Sequence, residues 1–146
     1  MKIFLASDHA GFEMKESLIA YLSERHFEIE DNGPFTLEPQ DDYPDFMFLL
    51  GGNVAQSKGS FGIAIGGSGQ GEAIVLNRIK HVRAAVYYGG DKKILELSRQ
   101  HNDANILSLG ARFLTVEQAK EAVDLWLATP FSNEERHLRR LAKIDR

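Results

Sequence analysis

A doubly wound α/β domain is the fold class this sequence predicts, and three observations predict it. Five apolar runs of strand length alternate with stretches of helical period, the pattern of a parallel sheet covered by helices on both faces. The chain has 146 residues, the length of one domain with a proper core. No repeat, low-complexity tract or linker divides it, so residues 1–146 read as a single unit.

The first strand is the apolar run 2–6, and a helix over 11–25 follows with Met14, Leu18, Tyr21 and Leu22 on one face. Residues 27–31 make a short second strand, which Asn32-Gly33-Pro34 breaks. Residues 35–42 have no period and read as a loop. Pro44-Asp45 opens a helix running to Gln56, proline being tolerated in a first turn. The central strand 61–65 runs into the glycine-rich loop 66–71, and a helix is expected over 72–80. A strand over 82–88, a helix over 91–101 and a fifth strand over 106–109 follow. A helix over 116–128 surrounds Trp126, Thr129-Pro130-Phe131 ends it, and an appended C-terminal helix covers 134–144. The expected sheet is five-stranded and parallel in the flavodoxin-like order, whose switch point lies between the first and third strands.

Composition narrows the function. Seventeen Lys and Arg against 21 Asp and Glu leave a net charge of −4, which argues against bulk nucleic-acid binding. The absence of cysteine excludes disulfides, thiolate catalysis and cysteine-ligated metal centres. No apolar run reaches the roughly 20 residues that span a bilayer, and Ser7-Asp8-His9 cuts off the first apolar run too early for a signal peptide. A cytoplasmic protein without membrane contact is the expectation. The charge is uneven, however: residues 136–143 carry three Arg and one Lys with no acid, so the remainder of the chain stands at −8.

Ligands of such sheets bind beyond the carboxyl ends of the strands at the switch point. There the two most polar strand ends, Ser7-Asp8-His9 and Gly66-Gly67-Ser68-Gly69-Gln70-Gly71-Glu72, would face each other. Four glycines in the six positions 66–71 let backbone N–H groups approach an anion or developing oxyanion closely. The loop lacks the Lys-Ser/Thr ending of a P-loop and misses the dinucleotide spacing by one residue, and a plain tight turn remains the competing reading. Glu72, its only acid, suits a helix-dipole partner and a general base equally well. Asp8 can cap the turn after the first strand or belong to the site. His101-Asn102 ends a helix and has a sufficient local explanation there. Arg136 and Arg140 lie one turn apart and can clamp a phosphate, although a solvated charged face is the commoner use of such a pattern. Tyr43 reads either as a packing anchor or as a lid, His26 and His81 sit beside helix ends, and no motif suggests a metal.

Together these segments resemble the ribose-5-phosphate isomerase B family, which includes the galactose-6-phosphate isomerase subunits. The resemblance rests on Ser7 to Glu13, Asp42 to Phe46, Gly66 to Glu72, Arg83-Ala84-Ala85, His101 to Asn105, Leu109 to Arg112 and Arg136 to Arg140, collinear over the whole chain. It implies aldose–ketose isomerisation of a sugar phosphate with no metal or organic cofactor. By that resemblance Asp8 and His101 assist ring opening, and the Gly67, Ser68, Gly69 and Gly71 backbone with the Ser68 side chain steadies the enediolate. Arg136, Arg140 and His9 hold the phosphate while Tyr43 lines the pocket. It further implies a homodimer or dimer of dimers, with His101, Asn102 and Arg112 supplied by the second subunit.

One branch of the family has a Cys at position 66 as proton-transfer base. This chain has Gly66 there and Glu72 six residues on, so the resemblance places it in the branch whose base is the glutamate. Tyr87-Tyr88-Gly89-Gly90 and the loop 33–42 depart from the family pattern. Isomerisation of a six-carbon aldose 6-phosphate, such as allose or galactose 6-phosphate, and a non-catalytic sugar-phosphate- or nucleotide-binding module on the same fold are the alternatives.

Overall fold

A computed structural model describes all 146 residues. The strands are β1 (Lys2–Ser7), β2 (Glu28–Asp31), β3 (Phe61–Gly66), β4 (Ala84–Tyr87) and β5 (Ile106–Gly110). The helices are α1 (Phe12–Glu24), α2 (Tyr43–Gln56), α3 (Gln70–Leu76), α4 (Lys93–Gln100), α5 (Val116–Ala128) and α6 (Glu135–Ile144). Every strand pairing is parallel, in the order β2-β1-β3-β5-β4. The expected α/β sheet is therefore present, and β2-β1-β3 follows the flavodoxin-like order. Beyond β3 the last two strands are exchanged: β4 takes the edge and β5 lies beside β3. Side chains explain the exchange, because every residue of β5 is buried while Ala84, Ala85 and Val86 of β4 are only half-buried.

Alternation along the strands divides the core in two. Ile3, Leu5, Ile63, Ile65, Leu107 and Leu109 point to the layer of α1, α4 and α5, where Leu18, Leu22, Leu95 and Trp126 meet them. Phe4, Ala6, Ala64 and Ile106 point to α2 and α3, against Met47, Leu50, Val54 and Leu76. Trp126 is fully buried and donates its indole N–H to Ser98 Oγ at 3.1 Å. Truncating it to alanine would cost about 3–5 kcal/mol. The capping box of α5, where Thr115 and Gln118 bond reciprocally, fixes the start of that helix.

Two local departures from the sequence expectation bear on the site. α3 begins at Gln70, two residues early, and stops at Leu76, with His81 closing the following turn at φ 70°. On α1 the buried face includes Lys15 and leaves Tyr21 half-buried. Lys15 Nζ donates to Asp31 Oδ1 at 2.7 Å and to the Pro34 carbonyl at 2.6 Å, tying α1 to the start of the loop 33–42. Removing one partner of such a buried pair costs about 3–5 kcal/mol, because the other charge is left without compensation.

Candidate active site

Ser7 pairs in register with Ile65, so the turns that follow β1 and β3 meet at the carboxyl edge of the sheet. Asp8 is buried there. Its N–H donates to the Ile65 carbonyl at 3.2 Å and its Oδ1 accepts the Gly11 N–H at 3.0 Å. The carboxylate thus shapes its own turn and also faces the glycine loop.

Glu72 sits in the first turn of α3, only 4% exposed, and its side chain folds back over Gly66. A Cβ at position 66 would overlap the Glu72 carboxylate, so only glycine leaves that group its seat. Burial pushes the Glu72 carboxyl above the ordinary carboxylate range; a bond to its own backbone N–H opposes the rise, and the neighbouring Asp8 carboxylate adds to it. The raised proton affinity is what a general base requires.

The loop above this pair is held open. Gly69 adopts φ 78°, and the buried Ser108 hydroxyl on β5 donates to its carbonyl at 2.7 Å. No hydrogen bond within the chain uses the N–H groups of Gly67, Ser68, Gly69 or Gly71, which are left to a ligand. Ser68 Oγ accepts the Gln70 N–H at 3.2 Å. The Tyr43 ring at the start of α2 packs on Gly71, and the Arg112 guanidinium lies over Gly67 with no acidic partner. His9 closes this side, its Nδ1 2.8 Å from Asp41 Oδ1.

Arg112 corrects the expectation drawn from the resemblance, which took it from a second subunit. Its guanidinium reaches the loop of its own chain because β5 lies next to β3, and its backbone N–H donates to the Gly67 carbonyl at 3.1 Å. Sequence reasoning also missed Ser108 and Asp41.

The remaining predicted residues lie elsewhere. α4 runs antiparallel to the strands, so His101 and Asn102 at its end stand at the amino edge of the sheet, just before β5. Five residues of β5 put about 16 Å between the two edges. Arg83 donates to the Asn102 and Asp103 carbonyls, both at 3.1 Å, and fixes this turn. His101 stacks on His137 of α6 with ring centroids 4.4 Å apart, which brings the exposed Arg136 and Arg140 to the same edge. Arg136 pairs with Glu134 at 2.8 Å, whereas Arg140 has no acidic partner. Burial lowers the proton affinity of His137, and the nearby His101, Arg136 and Arg140 lower it further. The largest cleft, about 600 Å³, also opens at the amino edge, but its Arg83 is already held by Asp103 and Asp145. No three His, Asp or Glu side chains converge as metal ligands would.

Comparison with known proteins gives the family. A ribose-5-phosphate isomerase B of Mycolicibacterium paratuberculosis is 38% identical over 141 residues, covering 97% of this chain and 87% of that protein. The crystal structure of ribose-5-phosphate isomerase B from Mycoplasma genitalium with bound ribulose-5-phosphate superposes with a TM-score of 0.93 at 39% identity, covering 99% of this chain and 93% of that one. The enzyme from Thermotoga maritima gives 0.91 at 41% identity, with 99% and 97% covered. Residues 3–144 match the Ribose/Galactose Isomerase family, and the chain belongs to that family.

Proposed function

We propose that this protein interconverts ribose 5-phosphate and ribulose 5-phosphate, and that each of its sites joins the carboxyl edge of one chain to the amino edge of a second. The observation that carries the reading is the buried Glu72 carboxyl, raised in proton affinity beside Asp8 and set under a loop of unpaired N–H groups. A base next to an oxyanion cradle is the pairing needed to remove a proton adjacent to a carbonyl.

The sugar enters as a closed furanose. Asp8 and the partner subunit's His101 take and give the protons that open the ring. Glu72 then removes the C2 proton of the open aldehyde. The resulting cis-enediolate places negative charge on oxygen, where the Gly67–Gly71 N–H groups and Ser68 receive it. Return of the proton to C1 gives the ketose. Oxidation at C2 and reduction at C1 balance within one molecule, so no external oxidant is needed. His9 and Arg112 from one chain, with Arg136 and Arg140 from the other, offer a cationic seat for the phosphate. Tyr43 and the partner subunit's Asn102 border the sugar.

The dimer, or dimer of dimers, is supported by the separation of the two edges within one chain. It is further supported by Phe48 and Leu49 on α2 and Ile74 on the adjacent α3, all more than half exposed. A cytoplasmic setting suits a phosphorylated substrate, and no helix of the chain is long and apolar enough to cross a membrane.

The test is incubation with ribose 5-phosphate in deuterium oxide. Ribulose 5-phosphate should form with solvent deuterium incorporated, and Glu72→Gln should lower kcat about 10²–10⁴-fold. Near-normal turnover in that variant, or faster turnover of allose or galactose 6-phosphate by the native protein, would contradict the reading.

A further inference from the structure

The loop 33–42 delivers one side chain to the site across 32 positions of sequence: Asp41 Oδ1 accepts both from the His9 backbone N–H, at 3.2 Å, and from the His9 ring at Nδ1, at 2.8 Å. The Asp41 side chain is only 6% exposed, and its second oxygen, Oδ2, is buried with no hydrogen-bond partner. A carboxylate withdrawn from water in this way needs a positive charge beside it, since a buried unpaired anion is expensive. His9 is the group in contact. With Nδ1 committed to Asp41, Nε2 is the ring nitrogen left to meet a ligand.

We propose that Asp41 is a positioning residue that holds His9 as an imidazolium, oriented so that its free Nε2–H donates to the phosphate of the substrate. The phosphate part rests on the sugar-phosphate reading above; the Asp41–His9 pairing does not depend on it. Other groups act on His9 as well. The Asp8 carboxylate beside it works in the same direction as Asp41, while the Arg112 guanidinium across the pocket and partial desolvation work against protonation. Asp41, through its hydrogen bond, is the largest of these influences, and their balance raises the proton affinity of His9 above that of a free imidazole. Glu72 lies behind Asp8 and faces the glycine loop. Lys15, by gripping Asp31 and the Pro34 carbonyl, steadies the start of the loop that carries Asp41.

A histidine stabilised in its charged form stays protonated as pH rises past its free value and loses its charge only at higher pH. Removing the carboxylate brings that loss to lower pH. Asp41→Asn keeps the size of the side chain and an acceptor for Nδ1 while deleting the charge. NMR titration of the protein without ligand, with the His9 resonance assigned by its disappearance in His9→Gln, reads the effect directly. The native His9 should titrate above 6.5, and in Asp41→Asn the midpoint should fall by about one pH unit. With ribose 5-phosphate as probe, KM in the variant should rise about tenfold near pH 7.5 and return to the native value near pH 5.5, where both proteins carry the charged ring; kcat should change little. A purely structural role for Asp41 would raise KM at both pH values. An unchanged midpoint in the variant would overturn the proposal. A native His9 that titrates at or below 6.5 would do the same even if the variant did not fold. If the midpoint shifts but the protein does not turn over ribose 5-phosphate, the pairing stands and the substrate reading fails.

Discussion

The two edges of the sheet differ in kind. At the carboxyl edge Asp8 and Glu72 are buried, touch one another's field, and are seated by Gly66, Gly69 and Ser108 of the same chain. At the amino edge Asn102, Arg136 and Arg140 are exposed, and the buried members, His137 and Arg99, support the others from behind. Proton transfer demands a fixed, partly desolvated base, and one chain supplies it. Gripping a charged, mobile substrate demands reach, and the exposed groups with reach lie at the opposite edge of the sheet from Glu72. The difference supports the proposal made above, in which the two edges are complementary halves of one site shared between chains.

The contrast can be sharpened variant by variant. The largest effect is expected from Glu72→Gln, which removes the proposed base. Its pH profile adds a signature: in the native enzyme kcat should fall on the acidic side with a midpoint above 4.5, because burial raises the carboxyl that must be ionised to act, and Glu72→Gln should lose that limb. Next comes Gly66→Ala. Its added Cβ would overlap the Glu72 carboxylate and displace it; a misplacement near 1 Å costs on the order of 10²-fold. The loss should fall on kcat with KM little altered, and native kcat in this variant would remove Gly66 as the seat of the base. The smallest effect is expected from the other edge. Arg140→Ala should raise KM roughly 10–100-fold, the range for a lost hydrogen bond to a charged group, and leave kcat nearly unchanged. An unchanged KM would take Arg140 out of the phosphate seat.

Much of this arrangement was legible in the residues, and the rest was hidden in packing and in contacts far apart along the chain. The alternation of apolar runs with helical periods predicts all five strands and six helices, because local pattern and burial agree over most of the chain, with Lys15 and the bounds of α3 as exceptions. The glycine loop and Asp8 could be placed at the switch point because both directly follow strands. The exchange of β4 and β5 was not legible: both runs are apolar, and only the packing of both faces of Ile106–Gly110 decides which becomes central. That exchange is what carries Arg112 to Gly67, so the position of Arg112 was hidden with it. Asp41 was hidden for another reason. Its loop has no period, and its partner His9 lies 32 residues away, a contact no local pattern announces. The link between Gly66 and Glu72 came only through the family resemblance, as an alternation between a cysteine and a glutamate base, and its spatial reason, a shared seat, lies in the three-dimensional packing.

Complementation tests the assembly of one site from two chains most directly. Glu72→Gln disables the carboxyl edge and His101→Asn the amino edge, so each variant alone should have low activity. In a mixed dimer one site combines both defects while the other combines both intact edges. Random mixing of equal amounts should therefore restore about a quarter of native activity. Mixed dimers, isolated through two different affinity tags, that remain as inactive as their parents would contradict a site shared between the edges.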